Sequence, residues 1–133
     1  MICLDTTFII DFLKSKQEAI NKYKELKDKD LVTTHINVYE TKSGIYRKFS
    51  EDTIIKELSV LDDFMSFIKI LHVNMNSVEE AAKINGRLIK NGGIIDDLDI
   101  LIAGICLSNG CSAILTKNKK HFDKIKGLKV ETY

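Results

Sequence analysis

The run from Ile100 to Leu107 (ILIAGICL) is apolar on every side of a helical projection. A helix without a polar face has to be enclosed by other elements, so the chain must build layers around it. Asp96, Asp97 and Asp99 stand immediately before it. Three carboxylates where a buried helix begins repel one another and lose hydration, which makes a positive partner favourable there. Asp5 repeats the arrangement near the other end, closing the apolar Ile2-Cys3-Leu4 and opening the helical pattern Thr6 to Leu13. Two acidic corners far apart in sequence predict a metal site assembled from distant segments.

Short apolar runs predict strands at Ile2–Leu4, Leu31–Thr34, Ile70–Val73, Ala113–Leu115 and Leu128–Val130. Helical spacing fills the gaps. Ala19, Ile20, Tyr23 and Leu26 recur at three and four residues, and Ile54, Leu58, Leu61, Phe64, Met65 and Ile68 share one face. Ser77-Val-Glu-Glu80 has the form of a capping box that starts a helix ending near Asn91-Gly92-Gly93, and Asn109-Gly110 stops the apolar helix. Strands alternating with helices predict an α/β fold, a three-layer α/β/α sandwich with a central, mostly parallel sheet. Ligands of such sheets bind beyond the carboxyl ends of the strands, where Asp5 and Thr116 fall. With no repeat, linker or break in composition, residues 1–133 are expected to form one domain.

No stretch reaches the ~18 apolar residues of a membrane span. The N-terminus shows no basic region followed by an apolar core, so no secretory signal is expected. Cys3 and Cys106 lie inside apolar runs, and the three cysteines have neither disulfide-framework nor zinc spacing. A reduced, cytoplasmic protein is the expectation. The 20 basic and 19 acidic residues nearly cancel, which by itself marks no nucleic-acid binder. Their distribution says more. Lys117, Lys119, Lys120, Lys124, Lys126 and Lys129 crowd the closing segment, while the acids gather at 96 to 99. A basic rim beside an acidic centre suits a site for metal ions and phosphates together.

Each acid taken singly has a plain structural role. Asp5 and Asp96 are good N-caps, Asp97 and Asp99 favour a helix dipole, and Glu40 on an amphipathic helix is ordinarily solvated. Their order changes the reading: an acid after the first strand, another after the second, a third at the start of the apolar helix, then Leu115-Thr-Lys-Asn118. On these residues the whole chain resembles the PIN-domain ribonucleases, and within them the VapC-type toxins. Ile2-Cys-Leu-Asp5-Thr-Thr-Phe-Ile-Ile10 is similar to the family's opening motif, Asn37 to Gly44 to its second, and Asp99-Ile-Leu-Ile-Ala-Gly104 to its third. Leu115 to Phe122, followed by Ile125 to Tyr133, is similar to its closing segment. Asn118, or Lys117, stands where many members carry a fourth Asp.

The resemblance implies a PIN-like fold and a metal-dependent endoribonuclease that cuts single-stranded or loop RNA and leaves a 5′-phosphate. It implies Asp5, Glu40 and Asp99 as catalytic residues that hold Mg²⁺ or Mn²⁺, hard cations that prefer oxygen and lower the pKa of bound water. Thr6, Asp97, Thr116 and Asn118 would assist, and Lys117, Lys119 and Lys120 would grip the RNA backbone. His121 is expected to have a structural or RNA-rim role. Such toxins act as homodimers neutralised by a VapB-like antitoxin. Two other readings keep the fold: a PIN nuclease of RNA processing, and a PIN-like module that binds RNA or protein without catalysis. A phosphoacceptor receiver domain is set aside, because Asp5 lacks an adjacent acid and Val73-Asn74 lacks the acceptor.

Overall fold

Five short runs of branched and apolar residues find each other as one sheet in the computed structural model, which describes residues 1–133. The strands are β1 (Ile2–Leu4), β2 (Leu31–Thr34), β3 (Lys69–Leu71), β4 (Ala113–Leu115) and β5 (Lys129–Glu131). They run in the order β3-β2-β1-β4-β5, and every pairing is parallel. Parallel neighbours need crossovers, which helices supply. These are α1 (Thr6–Leu13), α2 (Gln17–Leu26), α3 (His35–Lys48), α4 (Glu51–Met65), α5 (Met75–Lys90), α6 (Asp97–Ser108) and α7 (Lys119–Phe122).

Alternation along the strands divides the interior in two. Cys3, Val32 and Ile114 face a core made with α5, α6 and Phe122 of α7. Leu4 and Leu115 face the opposite way, into a core with Phe8 and Ile9 of α1, Ala19 and Leu26 of α2, Ile45 of α3 and Leu61 of α4. The result is the expected three-layer α/β/α sandwich. No helix is long and apolar enough to cross a membrane.

The fully apolar α6 lies inside, with Ile102, Ala103, Ile105 and Cys106 wholly buried. Its closest neighbour is α5. A Cβ added at Gly104 would stand 2.6 Å from the Ser77 carbonyl oxygen and 2.7 Å from both the Cβ and the backbone nitrogen of Ala81. The two backbones can approach this far only because residue 104 has no side chain.

The boundaries differ from expectation in four places, one being α4, which runs Glu51–Met65 and leaves Ile68 beyond its end. The third strand starts and ends earlier, at Lys69–Leu71 rather than Ile70–Val73, and the fifth lies at Lys129–Glu131 rather than Leu128–Val130. Helix α5 begins before Ser77, because Asn74 is an equally strong cap and comes first. The Asn74 side chain accepts from the Ser77 amide at 3.0 Å, and the Asn74 amide donates to Ser77 Oγ at 2.8 Å. Ser77 thus serves as the third helical residue of the box rather than its cap.

Candidate active site

The carboxyl ends of β1, β2 and β4 and the first turns of α1, α3 and α6 meet at one edge of the sheet. Asp5 directly follows β1 and caps α1. It is 3 % exposed, yet its carboxylate is fully engaged. Oδ2 accepts from the hydroxyls of Thr116 at 2.6 Å and Thr7 at 2.8 Å, with the Thr7 amide at 3.4 Å. Oδ1 accepts from the Asn37 side-chain amide at 3.2 Å. A buried carboxylate held by four donors keeps its position.

Asn37 is itself fixed, since Thr34 and Asn37 form a reciprocal capping box at the start of α3. Its amide also donates to Thr6 Oγ1 at 3.1 Å, and Thr6 donates to Glu40 Oε1 at 2.6 Å. A continuous relay of hydrogen bonds therefore joins Asp5 to Glu40, one turn further along α3. Asp99 enters from α6, 9 % exposed, with His121 Nδ1 2.7 Å from its Oδ2.

The electrostatics agree with this convergence. Burial pushes the Glu40 carboxyl above its usual range; the Thr6 hydroxyl opposes this, and the negative charges of Asp5, Asp99 and Asp96 add to it. Burial likewise raises Asp99, against the opposing pull of His121 and with Asp5 and Asp96 adding to the rise. Glu40 and Asp99 both feel the charges of Asp5 and Asp96, which is the signature of like charges gathered near one place. No three His, Cys, Asp or Glu side chains close round a single point as a ready-made cage. The donor set nevertheless fits a hard divalent cation. Its oxygens are carboxylates and hydroxyls, the ligand type that Mg²⁺ and Mn²⁺ prefer.

The other expected residues separate into distinct groups. Thr6 and Thr116 lie within the network. Asn118 is exposed, and its amide donates to Thr116 Oγ1 at 2.9 Å. Asp97 is exposed on the far side of the helix start, lining a cavity with Ile94 and Ile95. Asp96, which caps α6, is the additional acid whose charge reaches Glu40 and Asp99. Lys119 and Lys120 are exposed and make no ion pair.

Lys117 is engaged elsewhere. Its ammonium sits 2.6 Å from Asp11 Oδ2 and 3.6 Å from Glu18, with the Tyr133 ring centroid at 5.1 Å. It ties the closing segment to α1 and presents little free charge to a substrate. Sequence reasoning gave no role to Thr7 and Asn37 and put His121 outside the acid cluster. Thr7 and Asn37 sit inside the quoted motifs, but nothing in the sequence shows which acid they serve.

Residues 2–128 match the PIN domain family model. The chain is 32 % identical over 137 residues to ribonuclease VapC1 of Methanocaldococcus jannaschii, spanning 97 % of this chain and 85 % of that protein. It is 25 % identical over 130 residues to the tRNA(fMet)-specific endonuclease VapC of Salmonella typhimurium, spanning 98 % and 96 %. Among solved structures, the VapBC2 complex of Rickettsia felis bound to a promoter DNA fragment contains a chain of the same fold. That chain superposes with a TM-score of 0.87 at 24 % identity, over 100 % of this chain and 99 % of its own length.

Proposed function

Because the chain belongs to the PIN-domain family, we propose that it is a divalent-metal-dependent endoribonuclease, the toxin of a VapBC-type pair, acting on single-stranded or loop RNA in the cytoplasm. The nuclease activity and the toxin role follow its VapC ribonuclease relatives. The observation that carries the chemistry is the gathering of Asp5, Glu40 and Asp99 at one sheet edge, with Glu40 and Asp99 both raised by burial and by the negative charges of Asp5 and Asp96.

Asp5, Glu40 and Asp99 would hold Mg²⁺ or Mn²⁺, directly or through water. The cation's contribution is to offset phosphate charge and make water a stronger nucleophile near neutral pH. The chain's own residues set the geometry. Thr7, Thr116 and Asn37 fix both oxygens of Asp5, so that carboxylate needs little reorganisation when RNA arrives. Thr6 orients Glu40. Lys119 and Lys120 flank the site and supply salt-sensitive attraction for the RNA backbone. A VapB-like antitoxin is the partner that this family reading assigns, with the toxin itself a homodimer.

The test is purified protein incubated with total RNA, with and without Mn²⁺ or Mg²⁺, and the cut ends mapped. Asp5→Asn and Asp99→Asn are expected to abolish metal-dependent cleavage while melting as folded proteins. Full cleavage by either variant would reject the assignment.

A further inference from the structure

Of the three central acids, Asp5 has four donors, whereas Glu40 and Asp99 have one each. The one on Glu40 is the neutral Thr6 hydroxyl, and the one on Asp99 is the imidazole of His121. The Nδ1 to Oδ2 separation of 2.7 Å is that of a charge-assisted hydrogen bond. Since a carboxylate accepts, Nδ1 is the protonated nitrogen in this pair. Oδ1 of Asp99 takes no hydrogen bond from the protein.

The backbone that carries the ring is anchored. His121 belongs to α7, and the adjacent Phe122 is wholly buried in the core beside α6. The His121 amide donates to the Asn118 carbonyl at 2.9 Å, and the Asp123 amide to the Lys119 carbonyl at 2.9 Å. The backbone behind the imidazole is therefore anchored, although the side chain itself is 49 % exposed.

Resting on the metal-site reading above, we infer that His121 is a positioning residue. Its Nδ1–H fixes Asp99 through Oδ2 and leaves Oδ1 free for a divalent cation shared with Asp5 and Glu40. A group that orients a ligating carboxylate from behind is worth roughly 10–100-fold in metal affinity. The imidazole takes no part in bond making or breaking.

The experiment is Mn²⁺ titration of the metal-free protein, followed by electron paramagnetic resonance, for wild type, His121→Ala, His121→Asn and Asp99→Asn. Thermal melts accompany each variant as a control for folding. His121→Ala is expected to bind Mn²⁺ about 10–100-fold more weakly at an unchanged melting temperature. His121→Asn places an amide nitrogen near the former Nδ1 and is expected to recover most of that loss. Wild-type or tighter affinity in His121→Ala overturns the inference. Equal weakness in the Ala and Asn variants also overturns it, because the ring would then be a ligand in its own right. Asp99→Asn binding Mn²⁺ like wild type would instead remove the metal-site reading itself, and this inference with it.

Discussion

Placing a methyl group at residue 104 tests how α6 is seated, and with it the position of Asp99. In Gly104→Ala the new Cβ meets the Ser77 carbonyl oxygen at 2.6 Å and two atoms of Ala81 at 2.7 Å. Two of these three atoms are backbone and cannot rotate aside, so α5 and α6 must separate. Alanine in a helix interior stabilises by about 0.5–1 kcal/mol relative to glycine. Overpacking of this kind costs roughly 1–3 kcal/mol, and rigid neighbours put it at the upper end. The net loss is about 2 kcal/mol, or a fall in melting temperature of roughly 7 °C for a domain of this size. Calorimetry or thermal circular dichroism measures it. Adding Ala81→Gly removes one opposing atom, and the double-variant cycle should show coupling of about 1 kcal/mol. Cleavage well below the melting temperature should also fall, since a displacement near 1 Å at a catalytic group costs about 10²-fold. A melting temperature equal to or above wild type would refute the close approach of the two helices.

Four further outcomes follow from the contacts. Asp11 is buried, and although burial pushes its carboxyl up, hydrogen bonds from Lys117, Lys16 and Tyr133 outweigh that and hold it at about 2. Because the folded value lies below the unfolded one, this stabilisation is present above about pH 4 and is lost as pH falls through about 2. Its ceiling is about 2 kcal/mol, and melts of wild type against Asp11→Asn between pH 5 and 2 should converge as it disappears. Lys117→Ala should lower the melting temperature and leave the salt dependence of RNA binding nearly intact. Lys119→Ala with Lys120→Ala should do the reverse, reducing the slope of log affinity against log salt by roughly 0.7 for each lost phosphate contact on single-stranded RNA. Mn²⁺ at a hundredfold excess over its dissociation constant should stabilise the wild type by about 2.7 kcal/mol, and a chelator should reverse the gain in a melting assay.

Much of this molecule could be read before its coordinates. The central strands are short apolar runs bounded by polar residues, and Ala113–Leu115, buried on both faces, is legible over its whole length. The apolar helix was legible because nothing else tolerates so uniform a surface. The start of α5 was not, because Asn74 and Ser77 are both capable caps and only packing chooses between them. Helix α7 is four residues long, too short for any periodicity to register. The expected site acids stand out by their order in the chain. Their supports were less so. Asp11 and Lys117 each look like ordinary surface charges in the sequence, and their pairing depends on a chain closure that spans most of the protein. His121 suffered the same fate, since its distance from Asp99 exists only after α6 and α7 have packed.

Asp5 both launches α1 and supplies a charge to the acidic edge, so two demands fall on a single carboxyl group. As a helix cap asparagine serves about as well as aspartate, at the cost of the bond from the Asn37 amide to Oδ1, and it fails the second demand. That asymmetry lets an experimenter silence the chemistry and keep the scaffold, whereas alanine would disturb both and leave the cause of any defect ambiguous.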